Sequence, residues 1–462
     1  MDRSHLKSDD KIDSAARTLA HLTDHFASYK QLAIKMRQSF SARQRGYFTP
    51  REDDQVRHLL ISYWQSIKAL FELIDEFTDD TKRIDQLESK CFVIAYAAAI
   101  LLVDAGQFMV KEFGDNDIVR AKLNEPEPYF GIPTGVYDTV QMSLTDPSNA
   151  WQLHQVNQYF DAHKDQVLKA CQDPRLKPVL QVIDLLGQCV RISLAKYGNE
   201  RLKVRCRKIA RESKRPFVGA LARLQQFVAE LIADIHTNPM HEPCLPRQVT
   251  SRLMQMLRPG DIMINRKEYA VTNYFLPGYW PHVALYLGDA ESIQRLGLSE
   301  YKHVNSRLPY GEHQDVCGAG EPHRVLEAKK DGVQVRSLAS VFHCDAVAVI
   351  RPILDERHIT EAIDHGLLHD SKPYDFDFDF SRSNRLVCTE VVYRSYEGIG
   401  GIKFELKSRV GRLTLSAEDL LSMALNRKYF EPIAVYAPGY RKRLLTEQDV
   451  QQALRGTMAD EN

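Results

Sequence analysis

The feature that most constrains this chain is a change of hydrophobic period near residue 245. Before it, apolar residues recur at intervals of three and four, the spacing of an amphipathic helix, over segments 12–42, 54–77, 85–113, 150–171, 177–197 and 199–236. Thr49-Pro50, with Glu52 and Asp53 following, is a helix start, because proline suits the first turn and acids favour the positive end of the helix dipole. NEPEPYFGIPTGVYD, from Asn124, reads as a loop between helices. Residues 236–250 carry Pro239, Pro243 and Pro246 and read as a linker. Beyond it, short β-rich runs bounded by glycine, proline or charge predict strands at 261–265, 282–287, 324–328, 333–336 and 346–351. Helical patterns return at 356–369, 388–397, 416–426 and 445–455. The expected class is α+β. An all-helical domain over 1–245 precedes a domain over 246–440 with a small antiparallel sheet, and a helical tail spans 441–462.

Charge and cysteine usage narrow the function. Lys+Arg and Asp+Glu both number 61, so net charge gives no reason to expect a nucleic-acid partner. Lys196, Arg201, Lys203, Arg205, Arg207, Lys208, Arg211, Lys214, Arg215 and Arg223 do concentrate positive charge in one stretch. Its bland reading is a solvated helix face, and its sharper reading is contact with an anionic membrane surface through 196–223. Residues 91–110 are apolar enough to tempt a membrane assignment, but Asp104, Gln107 and the alanine content favour a buried helix of a soluble bundle. The N-terminus has no apolar signal core, and the eight cysteines form no CxxC pair. A cytoplasmic chain with reduced thiols is expected.

Chemistry concentrates in the second half. LRPGDIMINR, from Leu257, places a Gly-Asp turn before a strand, and PHVALYLGD begins a strand at His282. RVLEAKKDGVQV puts Glu327 on the next strand, and LVCTEVVYRSYEG sets Cys388 where a loop meets a helix. A thiol at a helix N-terminus feels the partial positive charge of unpaired N–H groups, which favours the nucleophilic thiolate. The same groups hold an oxyanion. An imidazole moves the proton and a carboxylate fixes that imidazole, so Cys388, His282 and Glu327 supply one role each. Alone, a cysteine at a helix start is usually a buried apolar residue, and a histidine at a strand start a satisfied polar one. His313, Cys317 and His323 fit no common zinc spacing, so no metal and no cofactor is expected. Asp375, Asp377 and Asp379 alternate with Phe376, Phe378 and Phe380, which on a half-buried strand separates acids from rings.

These runs together resemble the NlpC/P60 superfamily of papain-like cysteine hydrolases. The order His, acid, Cys resembles its circularly permuted YiiX/YebB-like (YaeF/YiiX) branch, over residues 257–440. RGYFTPREDD and KLNEPEPYFGIP resemble an N-terminal extension of some long members. The resemblance implies Cys388 as nucleophile, His282 as base and Glu327 as the third, polar position. It makes Tyr374 and Asp375, in KPYDFDFDF, part of a stretch lining the cleft, with Asp375 toward a substrate amine. Tyr279 and Trp280, just before His282, are taken as further substrate contacts. The long insertion at 289–322 departs from the pattern and is expected to cover the cleft, restrict substrates or displace Glu327. The implied function is a cysteine amidase or peptidase acting on a peptide or amino-acid amide. One rival is an acyl-lipid hydrolase or acyltransferase, similar to lecithin-retinol acyltransferases, at a membrane surface. Another is a catalytically silent binding module.

Overall fold

The computed structural model describes residues 3–79, 85–127, 130, 132–191, 241, 243–268, 278–298, 324–409 and 412–459. It divides into two compact units, Met1–Pro128 with Ile132–Ile235, and Tyr129–Gly131 with His236–Asn462.

The described part of the first unit is helical. Its longer helices are α1 (Arg3–Ser39), α2 (Pro50–Asp79), α3 (Asp85–Phe113), α4 (Val136–Thr145), α5 (Pro147–Ala162) and α6 (Lys177–Leu186). α3 is the axle, packed by α1, α2, α4 and α6. Phe92 through Ala98 are all buried, so neighbours surround this helix on every side and it lacks a polar stripe. Residues 89–113 are long and apolar enough to cross a membrane, yet most of that surface is covered by protein. At α2, Thr49 and Glu52 close the first turn: the Glu52 carboxylate accepts from the Thr49 backbone N–H at 2.8 Å.

The second unit has α7 (Arg247–Met256), and the sheet formed by its described residues has seven strands, all antiparallel. They are β1 (Ile262–Arg266), β2 (His282–Gly288), β3 (Arg324–Lys329), β4 (Gly332–Ser337), β5 (Ala346–Pro352), β8 (Phe430–Ala437) and β9 (Arg441–Thr446), in the order β4-β3-β2-β1-β5-β8-β9. β6 (Lys407–Arg409) and β7 (Arg412–Thr414) form a separate hairpin. One face carries α9 (Glu356–Leu367), α10 (Cys388–Tyr396), α11 (Ala417–Leu425) and α12 (Gln448–Ala459) over Ile262, Val283, Leu285, Leu326 and Ala348. The other packs α7 and α8 (Ala339–Phe342) over Met263, Tyr286, Val325 and Val349. Alternation along each strand feeds both layers, so neither face is left wet.

The expected strands and helices of this unit are all present, with ends within four residues of those expected. Two expectations are corrected. The sheet is larger than a small one, because β8 and β9 extend it. Residues 441–462 also do not begin as a helical tail: 441–446 pair with β8, and α12 then packs back on that strand.

Two glycines set the geometry around the site. Gly260 has φ +89°, and a Cβ there would lie 2.9 Å from Ile359, so the Gly-Asp turn needs this residue. Its partner Asp261, wholly buried, receives both Arg351 nitrogens at 2.7 Å and the Arg258 N–H at 2.8 Å, which ties β1 to β5. A Cβ at Gly366 would meet Ser395 Oγ at 2.6 Å, so glycine permits α9 to lie against α10.

Candidate active site

Cys388 is the first residue of α10. Leu386 and Val387 come in extended: Leu386 bridges Tyr374 in parallel, and Val387 sits at ψ 169°. The valine side chain offers no cap, so the first-turn N–H groups keep their partial positive charge at the thiol. α10 packs on β2 and β3, the strands that carry His282 and Glu327. His282 begins β2 opposite Asn265 of β1, and Glu327 pairs with Gln334 of β4.

The three side chains meet. The Cys388 sulfur lies beside the His282 imidazole, near enough to act on its charge. On its other side, His282 Nε2 lies 2.8 Å from Glu327 Oε2. With Nε2 committed to the carboxylate, Nδ1 is the ring nitrogen left to the thiol. Burial works against charge on His282, but the Cys388 sulfur and the Glu327 carboxylate outweigh it and raise its pKa to about 9. Burial would likewise favour a neutral Glu327, yet Lys329, His282 and Arg336 hold its pKa well below the usual carboxylate range. Glu327 is wholly buried, His282 keeps a partly open edge, and Cys388 is 2% exposed. Elsewhere burial pushes the Cys171 thiol up to about 11, the half-buried Cys189 up to about 12, and raises Cys344.

The remaining sequence candidates fall differently. Tyr374 is half-buried and packs edge-to-face on Phe376, ring centroids 5.1 Å apart. Asp375 is wholly buried, so it presents no surface to a substrate amine. Residues 374–380 are not a strand. Asp375 accepts the N–H groups of Asp377 and Asp379 at 3.1 and 2.6 Å, and Phe378 takes a left-handed φ of 52°. Phe376, Phe378 and Phe380 turn inward as the alternation predicts, but Asp375 is buried with them. Trp280 is wholly buried, with Nε1 donating to Thr457 Oγ1 at 3.1 Å, which makes it a core residue. Tyr279 is half-buried under the Arg266 guanidinium, 4.6 Å from the ring centroid.

Sequence reasoning missed Lys329, Arg336 and Ser340, which surround the far oxygen of Glu327. Lys329 carried a usable signal: two residues after Glu327 on one strand, it must share its face. Residues 196–223, 299–323 and the histidine-cysteine set from His303 to His323 lie outside the described residues, so the basic stretch and most of the insertion do too. Among the described residues no cluster of three metal-ligating side chains occurs. A cavity of about 240 Å³ lies in the helical unit, lined by Tyr29, Met36, Phe40, Phe48, Leu59 and Phe113 among others, far in sequence from the Cys388 group.

With this geometry in hand, comparison with known proteins is specific. Residues 256–445 match the family described as permuted papain-like amidase enzyme, YaeF/YiiX, C92 family. The matched span lies wholly in the second unit, covers less than half of the chain, and holds the antiparallel sheet together with Cys388, His282 and Glu327. This similarity supports a hydrolase of the amidase or peptidase kind. No curated protein and no solved structure matches the chain.

Proposed function

We propose that this chain is a cysteine hydrolase that cleaves an amide bond through an acyl-thioester. The observation that carries the reading is the 2.8 Å hydrogen bond between His282 and Glu327, with the Cys388 sulfur beside that imidazole at the N-terminus of α10. The Cys388 thiolate attacks the carbonyl carbon, forming a C–S bond and a tetrahedral oxyanion that the first-turn N–H groups face. His282 then gives its Nδ1 proton to the leaving nitrogen as the C–N bond breaks. The amine departs. Water loses a proton to His282 and attacks the thioester, releasing the carboxylic acid and restoring the thiolate. Glu327 stays ionised throughout, orienting the ring and stabilising its cation.

Two measurements test this. Iodoacetamide labelling, read cysteine by cysteine, will mark Cys388 first well below the free-thiol pKa of roughly 8.5, and His282→Ala will slow that labelling. Labelling of Cys388 no faster than that of Cys91 or Cys171 would sink the reading. On an amide that turns over, kcat/KM will fall as pH rises through about 9, where His282 loses the proton it must donate.

A further inference from the structure

Glu327 uses its two oxygens separately. Oε2 faces His282 Nε2 at 2.8 Å. Oε1 accepts the Ser340 hydroxyl, with Lys329 Nζ at 2.9 Å and Arg336 Nε at 3.4 Å. Lys329 Nζ also donates to Ser340 Oγ, so that hydroxyl accepts from the lysine and gives its single proton to the glutamate. The direction of the chain is therefore fixed: ammonium to hydroxyl to carboxylate to imidazole. The two cations are not equivalent. Arg336 is shared with Asp331, 2.6 Å away and nearly wholly buried, so its charge is largely spoken for. Lys329 pairs with no carboxylate but Glu327 among the ion pairs of the described residues.

From this geometry we infer that Lys329, acting through Ser340 and Glu327, is a positioning residue that keeps His282 protonated and aimed at Cys388. The physics is direct. A carboxylate stripped of water takes up a proton unless charge is supplied to it. A neutral Glu327 would no longer stabilise the imidazolium, and the ring would lose both its cation and its fixed tilt. Lys329 is placed to supply that charge at the oxygen not used by His282, so charge and orientation are handled by different atoms of one carboxylate. Its side chain is about one-third exposed (32%), so solvent screens part of its effect. The closer distance and the undivided charge rank it above Arg336. The inference rests on the triad reading above, but its test is read on the imidazole itself.

The experiment is an NMR titration of histidine-labelled full-length protein, following His282, together with the pH profile of Cys388 alkylation. Lys329→Met will lower the His282 midpoint by about one pH unit, and Lys329→Arg will return most of it. Ser340→Ala will shift it less, because Lys329 still reaches Oε1 directly. The alkylation profile in Lys329→Met will move toward that of a free thiol, while thermal unfolding shows the variant folded. A His282 midpoint unchanged in folded Lys329→Met overturns the inference, whatever the activity. A wild-type protein whose His282 titrates high but whose Cys388 alkylates as a free thiol would instead overturn the catalytic reading and leave the clamp standing.

Discussion

Two wholly buried glutamates flank Cys388, and they rest in opposite states. Glu327, on the sheet, meets His282, Ser340, Lys329 and Arg336 and is held ionised. Glu390, two residues into α10, has one cation: Arg394 gives Oε1 two bonds, at 2.9 and 2.6 Å. Its Oε2 is buried without a hydrogen-bond partner. Burial therefore prevails over Arg394, nearby Asp375 adds repulsion, and the pKa is pushed up to about 8. Asp375 is pushed up to about 7 by burial and by Asp377, against the two N–H groups it accepts. Residue type and depth are the same for the two glutamates. What differs is the number of charges and donors delivered to each oxygen, and this decides which is a permanent anion and which titrates near neutrality.

Amide-for-acid exchange breaks the comparison most sharply. Glu327→Gln keeps shape but removes the charge that orients and stabilises the imidazolium, so kcat/KM will fall about 100- to 10,000-fold. Glu390→Gln touches a group that is already largely neutral and not bonded to His282, so its effect on kcat/KM will be small. Steady-state kinetics on one amide compare the pair. Equal losses in both variants would mean that the two acids form a single functional unit, and the division drawn here would fail.

The same contrast explains what could be read from sequence. The three residues proposed as a triad each sit at a local signal in the sequence: a strand opening after Pro281, a β-rich run at 324–328, and a loop-to-helix junction at 388. The carboxylate states were not legible, because Ser340 joins Glu327 through tertiary packing that no spacing announces. Segment 374–380 misled for a related reason. Alternation signals a strand only where a partner strand exists, and here one parallel bridge, Tyr374 to Leu386, is all that forms. Strand β8 was hidden by Pro432, which the sheet tolerates beside a register shift against β5. The charged run RKRLLT of β9 suits an edge strand, where lysine and arginine discourage further pairing, but out of context it reads as polar tail.

Stability against pH sharpens the comparison further. An acid whose folded pKa is raised contributes stability that is fully present below its unfolded value, near 4, and lost as pH rises through the folded value. Asp375 and Glu390 therefore weaken the second unit as pH rises from about 4, the Asp375 contribution being lost by about pH 7 and that of Glu390 by about pH 8. Glu327 acts in the opposite sense and is already saturated above about pH 5. Urea unfolding will show a loss on the order of 1–3 kcal/mol between about pH 5.5 and 8.5. His282, raised as it is, adds to that loss at the upper end. Glu390→Gln will flatten the dependence, whereas Glu327→Gln will leave the Glu390 contribution in place. A wild-type stability that rises over this range would show that the acids under α10 are not held neutral.

The smallest effect is expected beside the site, at Trp280. Its position directly before Pro281 and His282 invites a substrate role, but its surroundings are those of a joint. The indole is wholly buried and donates to Thr457 of α12. Tyr279 is held by its backbone N–H on Glu418 Oε1 at 2.9 Å and by Arg266 donating to its carbonyl at 2.8 Å. These bonds fix the approach of the chain into β2, and so the point at which His282 emerges. Trp280→Phe removes one donor. The Thr457 hydroxyl keeps its bond to the Leu454 carbonyl, so no buried hydroxyl is orphaned, and the cost will be about 1 kcal/mol plus some lost ring contact. Stability by urea and kcat/KM on the same amide separate the alternatives. A modest stability loss with kcat/KM nearly intact fits a joint, while a tenfold rise in KM at unchanged stability would return Trp280 to the substrate and require the cleft to open at a residue that is closed in this structure.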